Sequence, residues 1–561
     1  MKRSGGPAPR STTAAETSHR QATKSTADGT ARATPEPDTG QTGQTGDENE
    51  GSNDGGRPAA AAQLVKLAID RYELGRSPSD EPYVVPRPGG HVVRLLRAGT
   101  PSLSAELADL YWDATGRAAP AQARADALAV LEGKARRSDP VDTHLRSARN
   151  GDALWLDLGD VTGQVVRLDS SGWRVVKTGV PVRFRRSALT GVMPVPADGG
   201  DLDELWRFCN VRVVDRPLVV AWLVAALMCP DVPVPAVALL GEQGTGKSSA
   251  SRSLVQLVDP SPAPLRKPPR GPEEWINAAI GSRVVGLDNL SAMPDWLSDS
   301  LCRAVTGDAD VRRALYTDGS LAVFALRRAL VLNGIDLGAL RGDLAERTLT
   351  VTLDRIDPKS RVTEAEMARE WEACRPRLLG ALLDLTAGVT GVLSSLHLDG
   401  SPRMADYALV LAGVDQVLGT SGLARYSDQA TIQAADTLAG NPLCAAMAER
   451  VTEPFEGTAA DLLHVVTPVD SFDWRPPRGW PGNPRAVTGM LTRNAPALRQ
   501  AGWVVDDLGK ANEAKTTRWR LTPPEVVGKR DPSDPSHTGK PRGRRCGSRI
   551  KLIKRHTPKG E

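Results

Sequence analysis

Val237–Ser249 reads VALLGEQGTGKSS and runs directly into the helical text SRSLVQLV at 251–258. An apolar strand-like run, a glycine-rich turn and a helix, in that order, form the context that the pattern Gly-x4-Gly-Lys-Ser/Thr requires. Here the pattern is filled by Gly241, Gly246, Lys247 and Ser248. Its spacing follows from phosphate chemistry. Glycines at 241, 244 and 246 let successive backbone N–H groups curl around phosphate oxygens, and the helix that follows points its positive dipole end at the same place. Lys247 then reaches the β- and γ-phosphates, and the Ser248 hydroxyl completes the shell of a Mg²⁺ ion. The loop residues Gly241, Glu242, Gln243, Gly244, Thr245, Gly246, Lys247, Ser248 and Ser249 are therefore assigned to nucleotide binding, with ATP and Mg²⁺ as cofactors. A plain glycine-rich turn carrying a solvated lysine would need neither the strand before it nor the helix after it.

Working outward, SRVVGLDNLS (282–291) is a short apolar run ending in Asp288 and Asn289. A carboxylate at the C-terminal end of a neighbouring parallel strand is where a Mg²⁺-linked acid belongs, so Asp288 joins Ser248 as a metal-shell residue. Many motor NTPases place a glutamate after this acid to polarise the attacking water. Asn289 stands there instead, and an amide orients water but takes no proton from it. Glu242, Asp295 and Asp299 are the substitutes within sequence reach. A third strand, RRALVLNGID (327–336), ends in Asn333, placed to bond a γ-phosphate or the lytic water. Fourteen residues later, Arg347 in RGDLAERTLTVTL is the candidate for stabilising transition-state charge, in its own subunit or across a boundary, with Arg341 as second choice. Lys247, Asp288, Asn333 and Arg347 make up the expected catalytic set. Between the second and third strands, VRRALYTDGSLAVFALRR (311–328) reads as a hairpin about Asp318-Gly319, with Arg312 and Arg313 as candidate DNA-phosphate contacts. A basic edge that discourages strand pairing is the alternative reading of those two arginines.

The rest of the chain bounds the class. Its 561 residues predict three or four domains, and 40% hydrophobic with 4% aromatic residues fits packed domains diluted by unstructured text. A net charge of +4 is too mild to diagnose nucleic-acid binding by itself. Six cysteines without a CxxC pair argue against a disulfide scaffold or zinc ribbon, and the longest apolar stretch, Leu218–Cys229, is too short to span a bilayer. With a polar start lacking an apolar signal core, the expectation is a cytoplasmic bacterial protein with no membrane partner. Arginine greatly outnumbers lysine, and Ala and Gly are abundant, which points to a GC-rich genome.

The expected fold class is multi-domain α/β: a P-loop core with a mixed α+β N-terminal domain, a helical segment and a C-terminal winged helix. Residues 1–58 lack large apolar side chains and are expected to be disordered. A mixed α+β domain with a twisted sheet is expected over 59–200, opening with helical spacing in AAAQLVKLAIDRYELG (60–75). The ATPase core is placed at 201–357 and a helical domain at 358–455. Over 456–525, NPRAVTGMLTRNAPALRQAGW is helix-like except near Pro496, and two strands about a lysine-bearing turn follow. Helix then hairpin resembles a winged helix. Arg485, Arg493 and Arg499 would face a groove, while Lys510, Lys515, Arg518 and Arg520 would track phosphates from the wing. The basic tail, 526–561, would add salt-sensitive affinity.

Gly241–Ser249, Asp288-Asn289, LCRAVTGDADVRRALYTDG (301–319), Asn333 and LAERTLTVTL (344–353) together resemble phage and plasmid superfamily 3 helicases. More narrowly, they resemble the ATPase part of mobile-element primase-helicases, over about residues 203–356. The resemblance implies an AAA+-related fold, a hexameric homo-oligomer and movement 3′ to 5′ on single-stranded DNA. Duplex DNA at an origin is the expected partner of the winged helix, and a separate primase or other replication proteins are further candidate partners. Two departures stand out: the missing glutamate, and an N-terminal region without the clustered acids and histidines of a primase site. The expected function is an ATP-dependent DNA helicase or translocase in mobile-element replication. An ATP-gated initiator without unwinding is the alternative that Asn289 favours. A small-molecule kinase leaves the C-terminal module unexplained, and a defence role would use the same ATPase parts.

Overall fold

The computed structural model describes residues 59–96, 103–228, 230–291, 293–313, 321–334, 342–398, 402–468, 474–509 and 517–524. The two expected tails, the Asp318-Gly319 turn, Arg341, Lys510 and Lys515 lie outside the described residues.

α1 (Ala60–Arg71) buries Leu64 and Ala68, one helical turn apart. It stops earlier than its apolar spacing suggests. Tyr72 turns extended and opens β1 (Tyr72–Arg76), which pairs antiparallel with β2 (Pro82–Pro86). The expected single sheet is in fact two. The first has the order β1-β2-β3-β9-β4, with β3 at Val92–Leu95, β4 at Thr143–His144 and β9 at Arg183–Arg185. α2 (Leu103–Thr115) and α3 (Ala121–Ala135) share a core with α1 beside it. The second is an antiparallel meander, β5 (Ser147–Asn150), β6 (Ala153–Asp157), β7 (Val165–Asp169) and β8 (Gly172–Val176). Its Leu154, Leu156, Val166 and Leu168 belong to the same core as the central sheet, so packing continues across residue 200.

The central sheet is wholly parallel, in the order β11-β12-β15-β10-β16. Its strands are β10 (Ala236–Leu240), β11 (Leu265–Arg266), β12 (Val284–Leu287), β15 (Ala329–Asn333) and β16 (Thr348–Thr352). Connecting helices are α5 (Lys247–Val258), α6 (Pro272–Ala279), α7 (Asp295–Thr306) and the short α8 (Gly342–Ala345). The strands read as near-continuous apolar runs because parallel sheets are covered on both faces. One cover is α4 (Arg216–Met228), in which every residue from Leu218 to Met228 is buried, so the chain's longest apolar stretch is core. Connections leave β10 towards β11 on one side and return to β16 on the other, which makes the C-terminal end of β10 the switch point where such sheets bind ligands. β13 (Ala309–Arg313) and β14 (Leu321–Ala325) form the antiparallel hairpin inserted before β15.

A buried ion pair joins meander and core. Arg146 Nε donates to Asp259 Oδ1 at 2.8 Å, and its other nitrogens bond the carbonyls of Asp157 and Gly191. The second Asp259 oxygen accepts the N–H groups of Arg283 (2.7 Å) and Val284 (2.9 Å) at the entry to β12.

α9 (Glu364–Val392) begins with a capping box between Thr363 and Glu366 and leads to α10 (Ala405–Leu418) and α11 (Gly422–Ala439). Its length and hydropathy would pass for a membrane span, but half of its most apolar window is buried in protein. It packs on the meander, where Trp173 Nε1 donates to Asp384 Oδ1 at 2.9 Å.

A separate core holds α12 (Pro442–Arg450), β17 (Phe455–Thr458), α13 (Ala459–Val466), α14 (Pro484–Gln500), β18 (Val504–Asp507) and β19 (Arg518–Thr522). The strands are antiparallel in the order β17-β19-β18. Leu443, Cys444 and Met447 of α12 sit in this core, although the sequence reading puts them with the preceding helices. α14 also runs straight through Pro496, whose ring is on the exposed face.

Gly380 tests the fit of α9 against the chain before the core. A Cβ there would lie 1.9 Å from the Ala197 carbonyl oxygen. On an open helix, Gly→Ala stabilises by about 1 kcal/mol. Here Gly380→Ala is expected to destabilise by about 1–3 kcal/mol through overpacking, seen as a lower melting temperature; a rise would contradict the packing.

Candidate functional site

The loop after β10 owes its shape to glycine. Gly244 and Gly246 have φ of 84° and 80°, a left-handed conformation costly for any residue with a Cβ. Gly246 is also the N-cap of α5, and no side chain caps the helix there, so its first N–H groups face the loop. Thr245 is buried, and its Oγ1 donates to the Glu242 carbonyl at 3.0 Å, fixing the crest. Lys247 Nζ lies inside the curl, donating to the carbonyls of Gly241 and Glu242 at 2.7 Å each.

Ser248 and Asp288 meet. Ser248 Oγ donates to Asp288 Oδ1 at 2.9 Å, although 40 residues separate them. The meeting depends on β15, which lies between β10, leading into the loop and Ser248, and β12, which ends just before Asp288. Asn333, at the end of β15 and only 2% exposed, accepts the Asn289 N–H on Oδ1 (2.8 Å) and donates from Nδ2 to Ser251 Oγ (3.1 Å) on α5. Leu290 N–H bonds the Asn333 carbonyl at 2.9 Å, and Asp288 N–H bonds that of Arg266 at 2.8 Å. Asn289 is thereby held at φ 57° with its side chain exposed. Two oxygen ligands 2.9 Å apart beside a nest of N–H groups suit Mg²⁺, which takes one or two protein oxygens and fills the rest of its shell from phosphates and water. No cluster of three or more metal-ligating side chains occurs among the described residues.

Arg347 is not part of this assembly in its own chain. β16 runs parallel to β10, with Thr348 beside Ala236 and Thr352 beside Leu240. Arg347 therefore stands at the N-terminal edge of the sheet, about 16 Å of strand away from the loop. Its guanidinium, 14% exposed, pairs with the Asp343 carboxylate and donates to the Asp343 carbonyl at 2.9 Å. The expectation of a same-subunit finger is corrected on that ground. Arg403 shares Asp343 and also reaches Glu346. Burial pushes the neighbouring Cys302 thiol up to about 12, with help from the Asp343 charge. Cys209, Cys374 and Cys444 are buried free thiols as well.

Among the proposed water-polarising acids, Glu242 lies exposed in the loop, while Asp295 opens α7 and Asp299 follows one turn later. Arg312 and Arg313 lie on β13, opposite Ala322 and Leu321.

The sequence reading missed the chain that follows β16. Leu353 N–H bonds the Leu240 carbonyl at 2.8 Å, and the segment then crosses the loop. A Cβ on Gly246 would come within 3.2 Å of Ile356 Cδ1, and one on Gly244 within 3.3 Å of Arg361 Nη2. RIDPKSR carries no motif to announce this; the signal lies only in which loop positions must be glycine.

On the C-terminal module, Arg485 and Arg493 are exposed on α14, on the side away from buried Val487, Leu491, Ala495 and Leu498. Arg499 instead donates to the Val505 carbonyl at 2.7 Å. Arg518 and Arg520 both pair with Glu456, and Arg520 faces Asp506 across the ladder. The basic side chains of β19 are thus offset by acidic ones on β17 and β18.

Residues 202–435 match the family model for the actinomycete integrative conjugative element replication protein, and residues 440–536 match the model for the RepA C-terminal domain of the same elements. Among solved structures, the chain is similar to one titled as the active helicase Cch of SCCmec type IV, at 11% identity and TM-score 0.39, covering 81% of this chain and 93% of that one. It is also similar to the NrS-1 C-terminal region, at 9% identity and TM-score 0.35, covering 83% and 100%. No curated protein sequence matches.

Asn333→Leu keeps bulk but strands a buried hydroxyl at Ser251 and an N–H at Asn289. A loss of about 1–3 kcal/mol is expected for the orphaned groups, read as a lower melting temperature. Adding Ser251→Ala to that variant removes one orphan and should restore part of the loss. No recovery in the double variant would contradict the Asn333–Ser251 bond.

Proposed function

We propose that this chain, a replication protein of the integrative-conjugative-element type, binds and hydrolyses ATP at the Gly241–Ser249 loop and uses the cycle to move along single-stranded DNA. The 2.9 Å bond between Ser248 and Asp288 carries the reading. It brings a hydroxyl and a carboxylate from different segments to the C-terminal edge of one parallel sheet, beside the start of α5.

Each residue has a definable task. The loop N–H groups and the α5 dipole hold phosphate oxygens. Lys247, already inside the curl, exchanges two carbonyls for β- and γ-phosphate oxygens. Ser248 and Asp288 would hold Mg²⁺, which when bound neutralises charge on the β- and γ-phosphates. Asn333 positions the turn rather than reaching out, since its amide already bonds Asn289 and Ser251. Asn289 offers an exposed amide to orient water. Arg347, at the far edge, is assigned as a finger for a neighbouring copy, a reading that goes with assembly into a ring. Arg312 and Arg313 on the hairpin are assigned to single-stranded DNA.

The α12-β17-α13-α14-β18-β19 module supports a winged-helix reading, with three helices and a three-stranded sheet around one core. α14 is then the helix offered to duplex DNA. A second reading, an ATP-gated initiator that assembles on DNA without unwinding it, draws on Asn289 standing where a proton-accepting glutamate would act.

ATP turnover with and without single-stranded DNA separates the two. Strong stimulation by DNA, lost in Lys247→Ala and Asp288→Asn, is the expected result. A slow rate indifferent to DNA would overturn the motor and leave the initiator.

For the module, duplex affinity is measured against salt. Arg485→Ala and Arg493→Ala should each weaken binding and lower the salt slope by about 1. Arg499→Ala, whose guanidinium is turned to Val505, should leave the slope unchanged. Equal slopes for all three variants and the wild type would remove α14 from the interface.

A further inference from the structure

The segment after β16 covers the phosphate loop from the same chain. Leu353 is bonded to the end of β10, Ile356 faces Gly246, and Arg361 Nη2 lies 3.3 Å from where a Gly244 Cβ would be. Arg361 is exposed, and among the described residues no carboxylate pairs with it. Other exposed arginines of this part of the chain are paired: Arg212 with Asp354, Arg207 with Glu370 and Arg377 with Glu204. A guanidinium beside a glycine crest has a defined chemical use, because its planar fork matches phosphate oxygens and stays charged at every relevant pH. In the loop reading the Gly244 N–H belongs to the nest that cups a phosphate, so a group this close to the Gly244 Cβ position stands at the rim of that phosphate's site.

We propose that Arg361 is a same-chain ligand of the terminal phosphates of the bound nucleoside triphosphate, closing over the loop at Gly244. The inference rests on the nucleotide-binding reading of the loop. It supplies the cationic group that Arg347, at the other edge of the sheet, does not supply within its own chain. Arg361 also lies two residues before Thr363, the N-cap of α9. α9 runs from there to the meander and α10, so a phosphate held by Arg361 bears directly on the start of the longest helix among the described residues.

The test titrates the full chain with N-methylanthraniloyl ATP and ADP in the presence of Mg²⁺, and measures melting temperature without nucleotide. The set is wild type, Lys247→Ala, Arg361→Ala, Arg361→Gln and Arg361→Lys. Loss of one charge-assisted phosphate contact predicts about tenfold weaker ATP binding in the Ala and Gln variants. A smaller change for ADP, an unchanged nucleotide-free melting temperature and partial recovery in Arg361→Lys are expected with it. A merely structural role would move the melting temperature and weaken ATP and ADP alike. Wild-type affinity in Arg361→Ala and Arg361→Gln, alongside loss of binding in Lys247→Ala, overturns the proposal and leaves the loop reading intact. Failure of the wild type to bind either nucleotide overturns the loop reading itself, and the role of Arg361 with it.

Discussion

The carboxamide of Asn333 is the constraint on which the site depends. It is buried at the end of the strand that separates β10 from β12, and its two ends bond two different segments: the turn after Asp288 and the second turn of α5. An amide does this because it carries an acceptor and a donor on one rigid plane. A carboxylate would lack the donor for Ser251, and a leucine would lack both functions. With Leu290 bonded to the Asn333 carbonyl as well, the turn has little freedom, and Asp288 is held where Ser248 can reach it. A residue expected to sense phosphate directly is thus seen to order the groups around it.

α5 is fixed at its other end by a second buried polar group. Asp259 follows the helix and divides its two oxygens between Arg146 and the first N–H groups of the β12 entry. Removing one partner of such a buried pair costs about 3–5 kcal/mol because the other is left as an unpaired charge. The consequence is architectural. Arg146, at the entry to the meander, is bound to the residue that ends the helix beginning at the Gly241–Ser249 loop, and hydrophobic packing continues across residue 200 alongside this pair.

The parts of this arrangement that were legible in sequence are those written in strand text. VALL, VVGL and ALVLN read as buried strands because a parallel sheet leaves neither face for polar residues. Polar residues at their C-terminal ends, Lys247, Asp288 and Asn333, could then be placed on one edge. The same rule, applied to RTLTVTL, would have set Arg347 at the opposite edge, since it precedes its strand. Arg361 gave no such signal, because its place depends on a turn of irregular chain over the loop. Two boundaries were missed for local reasons. Tyr72 continues the apolar spacing of α1 but leaves the helix to pair with Pro86, and α12 is a helix among helices until its apolar face is seen to join a different core.

The polar contacts around β16 separate what is pinned from what is not. Asp215 is fully buried and accepts the Thr352 N–H at 3.1 Å and Arg425 Nε at 2.8 Å, while Gln429 Nε2 bonds the Thr350 carbonyl at 2.5 Å. Thr352 is the register partner of Leu240, so α11 is tied to the strand that ends at the phosphate loop. α11 in turn packs on α14 of the C-terminal module. A buried carboxylate with each of its two oxygens bonded has no easy alternative arrangement, since a shift leaves charge unpaired in a low dielectric. The strand, α11 and the base of α14 therefore form one supporting frame. Beyond Leu353 the character changes: Asp354, Arg355, Asp357, Pro358, Lys359 and Arg361 are all exposed. The frame sets where the Gly241–Ser249 loop lies, and the short exposed stretch leading into α9 is the part of the candidate site that no buried polar contact fixes.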